Sequence, residues 1–453
     1  MSLLPAPLTT HQRLLPPDDP LRSTLHNELH ARPTARIRLP ALIVYVAMLN
    51  EGISREQECA HMRLLPGQQD LALESLNANF LRMRFEGYTV KWERHTEFTR
   101  YSIVQPLPSN DLLNKQTNAS QAAAEADLMA HLAVPAEWLR TLPGRTVAAI
   151  QMVMIEADIS DDAALIASAQ AWFGEHTVMA SKIGQGHSWA VTEFRIGEDG
   201  FERMLVIAPL GTSPARSGRS SHRLLEMETY RLLALRGLPV AKTLAPLLAE
   251  CETALSDITT QMEIKSLSDQ SLLDTLISLA ARVEGATATH SFRFSATRAY
   301  ATLVDQRIRE LREKSIPGTQ QIGIYLQHRL SPAIATVAAT QQRLSSLSER
   351  ISRASSLLRT RVDIASEIQN QQLLAKLTRG QELQLRLQST VEGLSIAAIS
   401  YYVISLLLYA GKALKQAGAP LNPEIAAGAM IPLVIWAVWR GSRQVHHKIY
   451  SSL

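Results

Sequence analysis

Two apolar segments near the end of the chain, Gly393–Ala410 and Ile425–Trp439, limit its folding options more than any other feature. Each is about 15–18 residues long and neither contains a charged side chain. A helix needs roughly 17–25 residues to cross a bilayer, so both sit at or just under that length. Asp, Lys or Arg at a helix centre costs about 2.5–3.5 kcal/mol on insertion scales, and none is present. A buried two-helix core is the competing expectation. The first expectation is a large soluble body held in a bilayer by a C-terminal helical hairpin.

The rest of the composition fits such a body. With 453 residues the chain can hold two or three domains. Hydrophobic residues make up 46% and charged residues 19%, the balance of a globular protein. The net charge of +4 is mild and spread out, so no nucleic-acid partner is expected. Arg293, Arg298, Arg307, Arg309 and Arg312 fit a cytosolic surface near anionic lipid as well as a specific ligand. Cys59 and Cys251 are far apart and suit reduced thiols. Met1–Gln12 has neither a basic region nor an apolar core, so it is not read as a signal peptide, and targeting falls to the hairpin. Arg440, Arg443 and Lys448 follow the second segment, and Arg379 and Arg386 precede the first. Lys412 and Lys415 stand against Glu424 between them. Basic flanks stay in the cytoplasm, which places both chain ends there.

The expected fold class is α+β. Residues 1–20 read as a loose arm and 21–215 as a mixed α/β cytosolic domain, with strands near Ile37–Met48, Val147–Ile155, Val178–Arg195 and Met204–Ala208. Met83–Val104 reads as a hairpin turning at Glu86–Gly87. Helical patterns lie around Asp70–Asn79, Ala122–Leu132 and Asp162–Phe173, and the domain ends in a loop at Gly211–Gly218. Residues 219–331 read as separate helices near Ser221–Leu235, Ala241–Glu263, Leu272–Glu284, Ala296–Lys314 and Gln320–Leu330. A long stalk helix is expected over 332–392, flowing into membrane helices at 393–414 and 424–440 and a cytosolic tail at 441–453. A helix that long usually packs into a bundle or coiled coil.

Spacing along the stalk and first span gives the sharpest functional expectation. Ser395, Tyr402, Ser405 and Tyr409 share a stripe at alternating 3–4 spacing, which continues backwards through Gln388, Gln384, Gln381, Leu377, Leu374, Asn370, Glu367 and Asp363. A polar stripe crossing a lipid boundary suits a helix lining an aqueous axis, with Leu374 and Leu377 as an apolar constriction. Small and hydroxyl-bearing residues also mediate plain helix packing. Two spans cannot enclose a channel, so a pore requires a homo-oligomer.

Two further groups could bind a divalent metal ion or sense pH. His26 and His30 are four apart, with Glu28 between them, and would share a helix face; Glu93, His95 and Glu97 would share a strand face. The competing role is structural, tying an N-terminal arm to a sheet. Glu226 and Tyr230 can share a helix face, whereas Glu226 and Glu228 cannot. No Walker loop, serine elbow or paired cysteine cluster occurs, so no catalytic residue and no certain cofactor is assigned, and the chain is not expected to be an enzyme.

Four strings are distinctive: His26-Asn27-Glu28-Leu29-His30-Ala31-Arg32-Pro33, Glu93-Arg94-His95-Thr96-Glu97-Phe98, Leu224-Leu225-Glu226-Met227-Glu228-Thr229-Tyr230, and Leu385-Arg386-Leu387-Gln388 running to Thr390-Val391-Glu392-Gly393-Leu394-Ser395. Together they resemble a family of uncharacterised, membrane-anchored bacterial proteins, which implies the inner membrane as location and implies no activity. The layout also resembles CorA-type magnesium transporters. Those carry a Gly-Met-Asn signature at the outer end of the first span, where this chain has Gly411-Lys412-Ala413-Leu414-Lys415. The expected function is a membrane-anchored homo-oligomer with CorA-like architecture, an ion transporter or channel. The alternatives are an anchored scaffold or sensor without transport, and a tethered metalloenzyme using His26, His30 and His95.

Overall fold

A computed structural model describes residues 19–22, 25, 35–108, 128, 132–174, 176–264, 268–416 and 422–450, with 443 and 445–450 by backbone alone. The chain divides into two compact units, Met1–Thr259 with Leu276–Ser352, and Thr260–Thr275 with Arg353–Leu453.

The first unit is built on one mixed sheet. Its strands are β1 (Ala41–Leu49), β2 (Phe80–Arg84), β3 (Thr89–Arg94), β4 (Phe98–Pro106), β5 (Arg145–Glu156), β6 (Met179–Ile183), β7 (Ser188–Ile196) and β8 (Glu202–Ala208). They lie in the order β2-β3-β4-β1-β5-β8-β7-β6. Neighbours pair antiparallel except β5 and β8, which are parallel. β1 reads Ala-Leu-Ile-Val-Tyr-Val-Ala-Met-Leu and is buried at every position. A strand with both faces covered loses the polar alternation of a half-exposed one, and that is why the run is continuously apolar. Leu42, Val44, Val46 and Met48 enter one core with Trp92, Tyr101, Trp138, Phe173 and Trp189. Ile43, Tyr45 and Ala47 enter the opposite core with Met152, Leu224, Met227, Leu233, Val304 and Leu326.

Short helices cover the first face: α1 (Arg55–Met62), α2 (Ala136–Arg140) and α3 (Asp162–Trp172). Ser54 and Gln57 form a reciprocal capping box on α1, and Asp161 accepts from Ala164 N–H to start α3. Long helices cover the second face: α4 (Pro214–Leu235), α6 (Asp269–Leu311) and the beginning of α7 (Ile322–Gln416), with α5 (Gly237–Ile264) between α4 and α6 in the chain. The last helix, α8 (Pro423–Tyr450), lies in the second unit.

Several elements differ from expectation. The Met83–Val104 hairpin is a three-strand meander over β2, β3 and β4, and only its first turn falls at Glu86–Gly87. The Asp70–Asn79 helix is a single 3-10 turn, Leu73–Leu76, in which Leu76 alone is buried, so no helical face had to form. The expected helix at 122–132 lies largely outside the described residues. The Gly211–Gly218 loop is shorter than expected, because Pro214 stands at the first helical position and begins α4. Gly218 belongs inside that helix because the Ala35 carbonyl packs where a Cβ would stand. The two helices expected between Leu272 and Lys314 are one, α6: Thr287 and Thr289 bond back to the carbonyls of Val283 and Gly285, at 2.9 and 2.8 Å, and Val283, Ala286 and Phe294 bury the junction. Likewise Pro332 does not begin a helix but lies within α7, where buried Leu326, Leu330, Ala333 and Val337 hold it despite the missing N–H.

In the second unit, Arg361 on α7 donates to the Met262 carbonyl at 2.8 Å and pairs with Asp269 at 2.9 Å. From Asp363 to Val391 the same helix is exposed on every side, Leu373, Leu374, Leu377, Leu383, Leu385 and Leu387 each by more than half. Further on, Ser442 on α8 donates to Glu392 at 2.8 Å, and a Cβ on Gly411 would stand 3.3 Å from that of Pro423. Three helical stretches are long and apolar enough to cross a membrane by length and composition: Pro214–Ile264, Ile322–Gln416 and Pro423–Ser442. Their surroundings differ. A third of the most apolar window of the first is buried in the fold, against 6% and 11% for the other two. The apolar residues of α4 belong to the sheet core.

Candidate functional site

Two of the distinctive strings meet in space. β3 carries Lys91 and Glu93 on one face, and Arg100 stands beside them on β4, opposite Glu93 in the strand register. Arg100 is 3% exposed, its Nε 2.5 Å from Glu93 Oε2 and its Nη1 3.0 Å from Glu226 Oε1 on α4. Lys91 reaches Glu93 at 3.0 Å, and Arg307 on α6 reaches Glu226 at 2.7 Å and Glu310 at 2.8 Å. His222 and Tyr230 stand one helical turn either side of Glu226, at 3.2 and 3.4 Å. The expectation that Glu226 and Tyr230 share a helix face is met, but that face looks into the core.

Electrostatics within the cluster are unequal. Burial alone would raise the Glu93 carboxyl, but the Arg100 guanidinium and the Lys91 ammonium overcome it and hold it at about 2. Glu226 is lowered for the same reason, with burial opposed by Arg100, His222 and Arg307. Burial drives His222 down to about 4 despite Glu226, so its imidazole is neutral near pH 7. Lys91, His222 and Arg82 line a cavity of about 60 Å³ beside the cluster, room for a water or two. Every charge here has a partner, so the cluster fastens α4 and α6 to the sheet.

A second buried group lies two residues farther along α4, on another side of the helix. Glu228 is fully buried and pairs with Arg231 through both oxygens. Glu202 at the start of β8 is hydrogen-bonded to Glu228 and accepts from Thr192 Oγ1 at 3.2 Å. Burial and the Glu228 charge push the Glu202 carboxyl well above the ordinary range, so Glu202 holds a proton that it shares with Glu228. The linkage sign follows. A carboxyl raised in the folded state binds more protons than the unfolded chain, so its stabilisation is complete below about pH 4.5 and is lost as pH rises. Glu202→Gln keeps a donor toward Glu228 without a titratable proton. The variant is expected to match the native chain in thermal midpoint at pH 5 and to exceed it by a few degrees at pH 8. A midpoint difference unchanged between those pH values would refute the shared proton.

Glu93, His95 and Glu97 do not converge on one site. β3 ends at Arg94, so Glu93, His95 and Glu97 do not share a strand face. Glu93 is taken by Arg100, His95 stacks on Phe98 at 4.4 Å, and Glu97 pairs with Arg293 on α6. Among the described residues no group of three His, Cys, Asp or Glu side chains could hold a metal ion. His26, Glu28 and His30 lie outside the described residues. Asp363, Glu367, Asn370, Leu374, Leu377, Gln381, Gln384 and Gln388 all lie on the exposed length of α7. Farther along, Ser395, Tyr402 and Tyr409 are exposed and Ser405 is half-buried, while Ser400, on another face, is buried. Cys59 and Cys251 are both free and buried.

Arg307, expected at a surface near lipid or at a ligand, is instead paired with Glu226 and Glu310, and Arg100 and Arg231 are not among the expected site residues. Their one legible signal was that Lys91, Glu93 and Arg100 occupy inward positions of strands that both core faces enclose, where a charge requires a partner.

A family model described as "Protein of unknown function (DUF3422)" matches residues 17–449. This bears out the resemblance to an uncharacterised family, and no CorA family is detected. A search of curated proteins finds no match.

Proposed function

Since the chain belongs to the DUF3422 family, whose description assigns no activity, we propose a function from the geometry: a membrane-anchored homo-oligomer of the bacterial inner membrane, with a cytoplasmic sheet domain that acts as a sensor or scaffold. The observation that carries the proposal is the contrast in burial. The apolar windows of α7 and α8 are 6% and 11% buried, whereas a third of the comparably apolar window in Pro214–Ile264 is buried in its own fold. Exposed apolar surface of that extent needs a bilayer or another chain to cover it. The contacts Glu392–Ser442 and Gly411–Pro423 support a hairpin of the last two helices.

Self-association rests on the bare length of α7. An isolated helix gains little without tertiary packing, and six leucines more than half exposed give it a reason to pair. A second copy offers the same surface, and parallel copies anchored in one bilayer would align it as a stalk.

Ion transport along a shared axis is the second reading. Tyr402 and Tyr409 are each 68% exposed and lie off the face that carries buried Ser400, so that stripe is free to face other subunits. Native mass spectrometry of the full chain in mild detergent tests both readings. One closed assembly of four to six subunits is expected if an axis exists, and a monomer would overturn self-association. Exchanging 393–450 for an unrelated two-helix anchor then separates the two. The sensor reading expects the cellular phenotype to survive the exchange. The transport reading expects it to be lost, together with ion flux in proteoliposomes that changes in Tyr402→Ala and Leu377→Ala.

A further inference from the structure

We propose that the pocket at the β3–β4 turn binds a small organic anion with a carboxylate or phosphate head and a short apolar body. This deepens the sensor reading by naming the class of ligand sensed, and it rests on that reading only for its biological purpose.

The pocket lies wholly within the first unit and has a volume of about 460 Å³, within the range of small-molecule sites. Its walls come from four places: the end of β1, the turn after β3, the α4–α5 junction and the middle of α6. The turn is the distinctive string Glu93–Phe98, and Asn50 fixes it by donating to the His95 carbonyl at 2.9 Å.

Arg94 is ion-paired from behind with Glu58 at 2.7 Å and donates to the Ile53 carbonyl at 2.8 Å. Glu51 is paired with Arg145 at 3.2 Å. Glu97 is paired with Arg293 through one guanidinium nitrogen, which leaves Nη1 of Arg293 and Oε2 of Glu97 without a hydrogen-bond partner. Arg236 forms no ion pair among the described residues, and its Nε–H is also without an acceptor. Burial, and then the neighbouring Arg293 charge, lower the pKa of Arg236 despite the Glu97 and Glu51 carboxylates on the same wall, so the site holds positive charge at a cost that an anion would relieve. Val240 of α5 adds to the pocket wall beside Arg236. A planar guanidinium matches a two-oxygen head such as carboxylate or phosphate.

The remaining lining sets the body of the ligand. Leu49 and Val240 are apolar, and Phe292 stands at the site 60% exposed with the Arg293 guanidinium 5.8 Å from its ring centroid. A ring or short alkyl group stacked on Phe292 would cover that surface while its head meets Arg236 and Arg293. Inorganic phosphate alone would satisfy the charges and leave the apolar wall bare.

Titration calorimetry of the full chain in detergent, with benzoate, phenyl phosphate and inorganic phosphate as probes, tests the assignment. Saturable binding of benzoate or phenyl phosphate, tighter than inorganic phosphate, is expected, and the better of the two identifies the head group. Arg236→Gln should weaken it by about tenfold or more, the scale of one charge-assisted hydrogen bond. Phe292→Ala alters an exposed side chain and should not unfold the domain. It is expected to weaken the aromatic probes and leave inorganic phosphate unchanged. Arg84→Gln, an exposed arginine at the end of β2, should bind all probes as the native chain does. Absence of saturable binding to the native chain, or native affinity in Arg236→Gln, would overturn the proposal. Either result would leave anchoring and self-association standing, and a monomer in native mass spectrometry would leave the binding result standing.

Discussion

Arg100→Met is expected to destabilise the sheet domain by about 3–5 kcal/mol, the usual cost of removing one partner from a buried ion pair. The side chain lost is 3% exposed and touches two carboxylates from different elements, Glu93 on β3 and Glu226 on α4. Methionine fills much of the volume, so the loss is electrostatic rather than a cavity effect. Glu226 keeps Arg307, but Glu93 keeps only Lys91. The pH dependence distinguishes this mechanism from general loosening. Glu93 is held at about 2 in the fold, below its unfolded value. Its stabilisation is therefore present above about pH 4.5 and lost as pH falls toward 2. Without Arg100 the carboxyl rises, so the deficit of the variant should be largest at neutral pH and shrink below about pH 4.5. Urea unfolding followed by the fluorescence of buried Trp92 and Trp189 measures it. A second substitution, Glu93→Gln, should restore part of the loss in Arg100→Met while destabilising the native chain. A deficit under 1 kcal/mol at pH 7 would show that the cluster contributes little.

The same cluster shows why part of the molecule was legible from its sequence and part was not. β1 was readable because nine consecutive buried residues leave an apolar run that no loop or surface helix shares. The α3 boundary was readable because Asp161 caps it. β4 was legible only as the far end of the Met83–Val104 hairpin: the second turn before Phe98 was missed, and so was the burial of Thr99, Arg100 and Gln105. Burial of polar side chains depends on partners far away in sequence, such as Glu226 for Arg100, and no local pattern announces them. The continuity of α6 and α7 was missed in the opposite direction. Gly285 and Pro332 are helix breakers by local propensity, and tertiary packing overrode both. At the β3–β4 turn the string Glu93–Phe98 was recognisable, but the pocket also requires Arg236 and Phe292, which only the fold brings to it.

Truncation after Glu392 is expected to move the protein from the membrane pellet to the soluble fraction under alkaline carbonate extraction. The full chain is expected to remain in the pellet. The sharper version uses charge rather than deletion. Leu406 is 68% exposed and Trp436 54% exposed, so in water neither side chain supports much packing. If the two helices stood in water, arginine at either position would be nearly neutral, since surface substitutions usually shift stability by about 0.5 kcal/mol or less. Within a bilayer each arginine costs about 2.5–3.5 kcal/mol, or roughly 70- to 400-fold in the insertion equilibrium. The same two substitutions thus have opposite expected outcomes in the two environments, and both outcomes can be read from one fractionation. Leu406→Arg with Trp436→Arg should abolish carbonate-resistant association while the sheet domain keeps its native unfolding midpoint. Native levels of resistant protein in the double variant would mean that a neighbouring protein surface, rather than lipid, covers these helices. The stalk pairing proposed for α7 would then extend to its last turn, and the exposed leucines from Leu373 to Leu387 would become the first place to look for the partner.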